Sequence, residues 1–351
     1  MLHRLKIAHI APVIYPVPPK QYGGTERVIA DLVREQTRDH DVTVFGPADC
    51  KIERAQLIGD YSSVSAYKEN VAQAPPGLPA ELEAQQLCDL VRYARDFDIL
   101  HLHGSAHASG VCAALDVPAV RTIHWRADEP DHVEHFRAFP REKIIAISHD
   151  QSRAVPHSSL AGIVHHGLPK DRYTRGEGSG RYLAFLGRMT DQKRPDRAIQ
   201  VAHNSALPLK LAGPIDPGNP DYFVQKVAPH LGKTIEHIGS VDDAQKQSLL
   251  GDAMAFIFPI DWPEPFGLVM IEAMACGTPV IAWNRGSANE IVEDGLTGYV
   301  VNSIEEAERA IEKVQELDRQ QIRGRFEERF SSTRMARETI DIYRDVLAQR
   351  S

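Results

Sequence analysis

The stretch Asp261–Val280, DWPEPFGLVMIEAMACGTPV, is the most informative part of the sequence. It follows a short apolar run, Phe256–Pro259, that predicts a buried strand, and its middle, Gly267–Ala275, has the composition of a helix. Pro265 and Gly267 predict a tight turn between the two. A strand that passes through a tight loop into a helix is the repeating unit of parallel α/β sheets.

The same alternation of apolar runs and helical patterns extends outward from this stretch in two series. The first series predicts helices at Arg27–Arg38 and Ala80–Arg95 and strands at Leu5–Ala11, Val42–Phe45, Ile99–Leu102, Ala119–Ile123 and Ile144–Ile147. The second predicts helices at Pro195–His203, Ala244–Leu250 and Gly267–Ala275 and strands at Leu183–Leu186, Leu209–Ala212, Ile235–Ile238, Phe256–Pro259 and Val280–Ala282. Beyond residue 303 only helix is predicted. The order indicates α/β architecture with parallel sheets covered on both faces.

The chain of 351 residues is long enough for two domains that each bury a core. The polar stretch Lys170–Arg181, which contains Gly176, Gly178 and Gly180, separates the two series, and we interpret it as the interdomain linker. We place the domains at residues 1–168 and 169–332, followed by a helical segment at 333–351.

Composition narrows the classes of function. The formal net charge is -8, and both halves share it, since residues 1–165 hold 17 Lys and Arg against 21 Asp and Glu and the rest hold 23 against 27. This balance argues against nucleic acid as the main partner and leaves at most peripheral contact with a membrane. Four scattered cysteines, no apolar leader at the N-terminus and no long apolar run favour a cytoplasmic protein.

Two carboxylates lie where a ligand is expected in this architecture. Ligands of open parallel sheets bind beyond the carboxyl ends of the strands, and a helix N-terminus suits a phosphate group. Glu264 lies in the loop before the predicted helix and Glu272 lies within it, so one can reach a sugar hydroxyl while the other holds a ribose. The alternative is a helix cap and a surface glutamate.

The paired carboxylates carry a family resemblance. Glu264 and Glu272, with PFGLV after the first and AMACGTPV after the second, resemble the paired-glutamate motif of the family 4 retaining glycosyltransferases. The resemblance extends over nearly the whole chain and implies the GT-B fold, in which two Rossmann-like domains face each other across a cleft. It also implies that the helix at 333–351 packs back on the first domain, that a nucleotide sugar is the donor substrate and that no metal or cofactor is needed.

Two further blocks match the family. Ala11–Glu26 contains Gly23 and Gly24 before a helix, and the resemblance places them near the donor phosphate and the acceptor. Leu186–Lys193 contains Arg188 and Lys193, which by resemblance offset the charge of the nucleoside diphosphate leaving group. Read without the resemblance, the glycines are a common turn and the two cations are solvated surface charges. The family often has Gly after the lysine, where this chain has Arg194.

The remaining matches are single positions after strands. His124 lies beside sugar and acceptor by resemblance, with Asp128, Glu129 and His103 as further acceptor-side candidates. A lone histidine in such a place is otherwise more often structural. Donor binding is implied for the glycines and cations named above and for Gly213, Val241, Gly267, Leu268, Val269 and Glu272. His166 stands where the family commonly has Asn, and Asn289 where it has a small residue or Pro.

Two patterns imitate metal sites. Asp96-Phe-Asp98 has the spacing of metal-dependent transferases, but it precedes the strand Ile99–Leu102 and therefore lies at the amino end of the sheet, away from the expected cleft. His101, His103 and His107 could suggest zinc, but no Cys or Asp completes a set. We therefore expect no metal site.

The resemblance implies a retaining, metal-independent hexosyltransferase in which Glu264, His124, Arg188 and Lys193 are the catalytic residues. The donor expected is a UDP-sugar, UDP-glucose or UDP-N-acetylglucosamine, with mannose also open. The acceptor expected is a glycan, a lipid-linked precursor or a small molecule. Two alternatives stay open: a nucleotide-sugar 2-epimerase of the same fold, against which the glutamate block speaks, and an inactive sugar-nucleotide-binding scaffold protein.

Overall fold

The structure, a computed structural model, describes residues 3–20, 23–70, 74–104 and 106–350. Contacts divide the chain into two compact units. The N-terminal unit comprises Met1–Gly167 together with Ser332–Ser351, and the C-terminal unit comprises Leu168–Ser331. The first boundary lies one residue before the position that the sequence analysis gives it, and the C-terminal helix belongs to the N-terminal unit.

The N-terminal unit is built on a parallel sheet of seven strands in the order β3-β2-β1-β4-β5-β6-β7 within the described residues. Its strands are β1 Lys6–Ile10, β2 Asp41–Phe45, β3 Gln56–Ile58, β4 Ile99–Leu102, β5 Ala119–Thr122, β6 Lys143–Ala146 and β7 Leu160–Ile163. The central strands are buried on both faces, because helices cover the sheet from both sides. The strand order reverses between β1 and β4, which is where ligands bind in such sheets.

The helices of this unit include one that returns from the end of the chain. They are α1 Gly24–Gln36, α2 Val64–Asn70, α3 Leu78–Tyr93, α4 Ala106–Leu115, α5 Pro130–Ala138, α6 His149–Ser152 and α14 Ser332–Ala348, with a 3-10 turn at Ala94–Asp96. The start of α14 is fixed to α1, since Ser332 and Thr333 each donate a hydrogen bond of 3.1 Å to the carboxylate of Glu35. Arg334 also donates to the carbonyl oxygens of His165 and His166.

The C-terminal unit repeats the plan with a sheet of six parallel strands in the order β10-β9-β8-β11-β12-β13 among the described residues. The strands are β8 Leu183–Leu186, β9 Leu209–Ala212, β10 Ile235–Gly239, β11 Ala255–Phe258, β12 Val280–Trp283 and β13 Gly298–Val301. The helices are α7 Pro195–Asn204, α8 Pro220–Lys226, α9 Asp243–Asp252, α10 Leu268–Ala275, α11 Ala288–Ile291, α12 Ile304–Lys313 and α13 Arg319–Arg329, with 3-10 turns at Ala228–His230 and Val314–Glu316.

Both units are Rossmann-like, and every strand predicted from an apolar run is present. Three strands were not predicted: β3, β7 and β13 lie at sheet edges, where one neighbour is missing and the sequence need not be continuously apolar. None of the helices in the described ranges combines the length and the apolar composition that crossing a membrane requires.

The interpretation of Lys170–Arg181 as a linker is wrong, because the segment is bound along the C-terminal unit. Gly176 N donates to Cys276 O at 2.9 Å, and the Arg319 guanidinium donates back to Gly176 O at 3.0 Å. Tyr173 is buried. The glycines serve close packing here, since a Cβ at Gly176 would lie 2.2 Å from the carbonyl oxygen of Gly251.

Candidate active site

The loop after β11 positions Glu264, which is buried. Its Oε2 accepts hydrogen bonds from the ammonium of Lys193 and, at 2.8 Å, from the indole N–H of Trp262. The Lys193 ammonium also lies 4.9 Å from the centre of the Trp262 ring, a cation–π distance. Glu264 is therefore a fixed carboxylate rather than a surface side chain. Sequence reasoning missed Trp262, although it stands two residues away.

Two glycines shape this loop. Gly267 has φ +83, and a Cβ there would lie 2.7 Å from Cε of Met270. Gly286 has φ +57, and a Cβ there would lie 2.3 Å from the carbonyl oxygen of Glu264. Only glycine accepts such a backbone without strain. Ser287 completes the support, because its N–H donates to Glu264 O at 3.0 Å. The loop that carries Glu264 is thus held against the backbone of Gly286 and Ser287.

Glu272 lies within α10 and is 3% exposed. Its Oε1 accepts from the Lys246 ammonium at 2.8 Å and from the Tyr173 hydroxyl at 3.3 Å. Its Oε2 is buried and has no hydrogen-bond partner among the described residues. A buried carboxylate oxygen without a partner is costly, so this atom is the natural acceptor for a ligand hydroxyl. Lys246 and Tyr173 were not found by sequence reasoning.

Arg188 directly follows β8 and Gly187, and its backbone is brought close to the end of the next strand. Gly213 makes this possible: it has φ +133, and a Cβ there would lie 1.9 Å from the carbonyl oxygen of Gly187. Within the part of the chain that the structure describes, the Arg188 guanidinium forms no hydrogen bond or ion pair. It is half-buried and differs in this from Lys193, which is paired with Glu264.

The donor-binding candidates of the C-terminal unit follow neighbouring strands. Val241 follows β10, Gly213 follows β9, Arg188 follows β8 and Glu264 follows β11. These four strands are adjacent in the sheet, so their carboxyl ends form one edge. Gly267 caps α10, whose first residues, Leu268 and Val269, carry backbone N–H groups without intrahelical acceptors. This edge combines carboxylates, cations and a helix N-terminus, a set suited to a sugar bearing a diphosphate.

In the N-terminal unit, Gly23 and Gly24 lie at the start of α1. Gly23 has φ +148, and a Cβ there would lie 2.8 Å from Cβ of Pro19, so the turn requires glycine. Burial raises the pKa of Glu26, in the first turn of the helix, to about 7. The predicted block Ala11–Glu26 includes Gln21 and Tyr22, which lie outside the described residues.

His124 follows β5, and its neighbours are anchored on both sides. The side-chain amide of Gln151 donates to the carbonyl oxygen of Ile123 at 2.9 Å and to that of Trp125 at 2.5 Å. His124 Nε2 forms a hydrogen bond of 3.0 Å with Nδ1 of His103, and its own Nδ1 is buried with no partner among the described residues. Burial lowers the pKa of His124 to about 3. The ring is therefore neutral at pH 7.

The two acidic acceptor-side candidates are already paired with one arginine. Asp128 accepts from the Arg126 guanidinium at 2.8 and 2.6 Å, and Glu129 lies 3.6 Å from the same group. The hydrogen bond to Arg126 holds the pKa of Asp128 below its usual range. Asp128 remains exposed, so an acceptor could contact it only as part of this ion pair.

The structure places the two patterns that imitate metal sites differently. Asp98 lies at the amino end of β4, and its Oδ2 accepts from the backbone N–H of Lys6 at 2.7 Å. The histidines resemble a set of metal ligands more than the sequence indicates, because His9 lies beside His101 and His103. One ring nitrogen of each of the three lies within 4.8 Å of the other two. All three rings are buried and already hydrogen-bonded through both nitrogens. His107 is instead bound to Glu83.

Comparison with known proteins agrees with this geometry. The family model described as Glycosyl transferases group 1 matches residues 171–332, and the model described as Glycosyltransferase Family 4 matches residues 22–174. The chain is 28% identical to the phosphatidyl-myo-inositol mannosyltransferase of Mycobacterium tuberculosis, over 85% of this chain and 82% of that protein. The chain is therefore a hexosyltransferase. It belongs to the family 4 glycosyltransferases of the GT-B type.

Solved structures share the fold. Sucrose-phosphate synthase from Thermosynechococcus elongatus superimposes with a TM-score of 0.75 at 19% identity, covering 99% of this chain and 100% of that one. The Anabaena protein HepE, in complex with UDP-glucose, superimposes with a TM-score of 0.71 at 18% identity, covering 96% of this chain and 99% of that one. At these identities the likeness shows the fold alone.

Proposed function

We propose that the chain is a retaining, metal-independent transferase that moves a hexosyl group from a UDP-sugar to a glycan, lipid-linked or small-molecule acceptor. The observation that carries the proposal is the carboxyl edge of the C-terminal sheet, where Glu264 and Glu272 are each held by a lysine and Glu272 keeps one buried oxygen without a partner among the described residues. Such an oxygen fits the hydroxyls of a ribose.

The same edge supplies what a departing nucleoside diphosphate requires. In the proposal, the N–H groups of Leu268 and Val269 bind the diphosphate, and Arg188 and Lys193 offset its growing charge. Because two cations supply this charge, a metal ion is not needed. Glu264 fixes the donor sugar through its hydroxyls, and the fixed position that Trp262 gives its carboxylate supports this role.

The N-terminal unit supplies the acceptor side. Gly23, Gly24 and His124 all follow strands at its carboxyl edge, on either side of the reversal in strand order. Retention requires a covalent intermediate or attack from the face of the leaving group. No described carboxylate is placed as a nucleophile, so we favour same-face attack. In this step the bond between the anomeric carbon and the diphosphate breaks, the acceptor oxygen bonds to that carbon, and the proton of the acceptor hydroxyl passes to an oxygen of the leaving diphosphate.

The choice of donor and acceptor rests on relatives. HepE was solved with UDP-glucose, which supports a UDP-sugar such as UDP-glucose or UDP-N-acetylglucosamine. The mycobacterial relative is named as a mannosyltransferase that acts on phosphatidyl-myo-inositol, which keeps mannose as a sugar and supports a lipid-linked acceptor. Such an acceptor would bring the enzyme to a membrane surface only peripherally.

The test begins with nucleotides. Thermal unfolding is measured with UDP, GDP and ADP, each with and without EDTA, since a ligand at concentration c that binds only the folded state stabilises it by RT ln(1 + c/Kd) and so raises the Tm. We expect a shift with UDP that EDTA leaves unchanged. A shift with GDP alone would show that the donor base is guanine rather than uracil. Loss of the shift in EDTA would refute metal independence.

The second stage tests transfer and retention. The sugar form of the binding nucleotide is incubated with candidate acceptors, and the anomeric configuration of the product is read by NMR. An α-linked product from an α-donor supports retention, and a β-linked product would overturn it. Interconversion of the donor sugar without any acceptor would instead indicate a 2-epimerase.

A further inference from the structure

A row of buried histidines runs from helix α1 to His124 inside the N-terminal unit. Gln36 Oε1 lies 2.7 Å from His9 Nε2, His9 Nδ1 lies 2.9 Å from His103 Nε2, and His103 Nδ1 lies 3.0 Å from His124 Nε2. His9 and Gln36 are 0% and 2% exposed. Each contact has hydrogen-bond length, so one amide and three imidazole rings form a continuous chain.

The three rings are neutral at physiological pH. Burial lowers the pKa of His9 to about 4 and holds the pKa of His103 well below its usual range, where the neighbouring histidines lower it further. A neutral imidazole has one N–H donor and one lone-pair acceptor. In a chain of such rings, the direction of the first hydrogen bond therefore determines the direction of all the others.

The amide of Gln36 sets the first direction. Its Oε1 faces His9, and its Nε2 lies 3.4 Å from the hydroxyl oxygen of Tyr343. In this orientation the amide N–H faces the tyrosine oxygen at a distance slightly longer than the roughly 2.7–3.2 Å of N–H···O bonds. In the reverse orientation Tyr343 would have to donate to the amide oxygen over the same 3.4 Å, which is further beyond the roughly 2.5–3.0 Å of O–H···O bonds. The short 2.7 Å contact, by contrast, suits a ring N–H donating to an amide oxygen. His9 is therefore protonated on Nε2.

The protonated nitrogens of His103 and His124 follow from that of His9. His9 Nδ1 accepts, so His103 donates from Nε2, and His103 Nδ1 in turn accepts from Nε2 of His124. His124 is left with a bare Nδ1, which is out of contact with solvent and has no partner among the described residues. The chain thus ends on an acceptor lone pair.

We propose that Gln36 is a positioning residue that fixes the tautomer of His124 through His9 and His103, so that Nδ1 of His124 can accept a hydrogen bond from a substrate hydroxyl. The hydrogen bond between His124 and a substrate hydroxyl rests on the proposed function, whereas the assignment of the tautomer does not. Without this control a half-buried histidine samples both tautomers, and a fraction of the molecules would present an N–H to the hydroxyl instead.

Helix α14 contacts the Gln36 amide on the side away from His9, through the hydroxyl of Tyr343. Tyr343, in α14, lies 2.5 Å from Nδ1 of His101, and His101 Nε2 lies 2.7 Å from the hydroxyl oxygen of Thr122. With Gln36 donating to the tyrosine oxygen, Tyr343 donates to His101 and His101 donates to Thr122. Every ring nitrogen on this branch is then satisfied in the same direction as the main chain.

The test reads the tautomers directly. Protein with 15N-labelled histidine is examined by long-range 1H–15N NMR at pH 7.5 without substrate, and His124 is assigned by the loss of its signals in His124→Asn. We expect Nε2 of His124 to be protonated and Nδ1 to be bare. A protonated Nδ1 in the native protein would overturn the proposal, and this reading needs no variant at position 36.

Three variants test the part played by Gln36. Gln36→Met keeps the length of the side chain but removes both polar groups, and we expect His124 to become a mixture of tautomers. Gln36→Glu keeps an acceptor for His9 and should restore the native tautomer. Thr122→Val is the matched control, since it removes a hydroxyl that is hydrogen-bonded to His101 rather than to Gln36, and it should change His101 but not His124. A native His124 tautomer in Gln36→Met would overturn the proposal.

Activity is a second and separate readout. In Gln36→Met, kcat should fall by roughly 3- to 10-fold, the effect of weakening one hydrogen bond in the transition state, and Gln36→Glu should recover most of it. A mixture of His124 tautomers with unchanged kcat would support the control of the tautomer by Gln36 and would refute the hydrogen bond between His124 and a substrate hydroxyl. Failure of the proposed function is thus distinguishable from failure of the tautomer assignment.

Discussion

Replacing Glu272 by Gln tests the proposed donor site at Oε2 of Glu272, the oxygen proposed to accept a hydrogen bond from a ribose hydroxyl. Oε1 of Glu272 is bound to the Lys246 ammonium at 2.8 Å, whereas Oε2 is buried without a partner in the described residues. In Glu272→Gln the amide oxygen will stay on the lysine, because an amide N–H₂ facing an ammonium is repelled. The N–H₂ group therefore replaces Oε2, and a position that accepts hydrogen bonds becomes one that donates them.

The size of the effect follows from the charge on the acceptor. Hydrogen bonds to charged groups contribute about 1.5–3 kcal/mol net, so losing one should weaken nucleotide binding by roughly 10- to 150-fold. The variant should also unfold at a lower temperature, because Lys246, with a side chain that is 16% exposed, loses its anionic partner. Thermal unfolding without ligand measures that loss separately.

The assay is calorimetric titration of native protein and variant with UDP, 2′-deoxy-UDP and 3′-deoxy-UDP. If Oε2 binds a ribose hydroxyl, the native protein should discriminate against one deoxy ligand and Glu272→Gln should not. Tyr173→Phe is the matched control, since it removes the 3.3 Å hydrogen bond to Oε1 and leaves Oε2 unchanged. A Kd for UDP in Glu272→Gln within about threefold of the native value would refute the ribose assignment.

Three further predictions follow from the site and its surroundings. Glu264→Gln should lower kcat by about 100-fold or more while UDP affinity stays near native, as turnover and titration will show; near-native turnover would exclude Glu264 as a catalytic residue. Arg188→Met combined with Lys193→Met should lower kcat/KM well over tenfold, and an unchanged value would exclude them as the diphosphate clamp. Burial lowers the pKa of His9 to about 4 and that of His124 to about 3, so below pH 6.5 the unfolded chain takes up protons that the folded chain does not. Stability should therefore be full above about pH 6.5 and fall toward pH 4, by about 1.4 kcal/mol per pH unit for each such histidine; urea unfolding at pH 7.5, 6 and 5 measures this, and a flat profile would contradict it.

The central strands could be read from the sequence because burial on both faces demands continuous apolar runs. Ile99–Leu102 and Leu183–Leu186 have the predicted bounds. The edge strand Gln56–Ile58 could not be read in this way, since two of its three residues are exposed. The linker interpretation failed for a related reason: glycines between two series also serve close packing, which only the neighbouring backbone of Gly251 reveals.

Candidate site residues could be selected from the sequence where a motif is local, but the residues that hold them could not. Lys246 is 26 residues from Glu272, and Tyr173 is 99 residues away, so no local pattern joins them. The histidine chain brings together residues from β1, from α1 and from the positions just after β4 and β5, and α14 contacts it through Tyr343. One signal was available, however: His9 lies within the predicted buried strand Leu5–Ala11, and a buried ring needs partners for both nitrogens.

The proposed function gives Lys193 two roles, and its contacts are compatible with both. Its ammonium is bound to Glu264 Oε2, yet the proposal requires it to offset charge on the leaving diphosphate. The indole N–H of Trp262 donates to the same oxygen at 2.8 Å and stays there if the lysine turns toward phosphate. Glu264 is then not left without a partner, and the cost of recruiting Lys193 is lowered. Arg188, which has no partner in the described part of the chain, needs no such release, and in the proposal it is therefore the first cation to meet the donor.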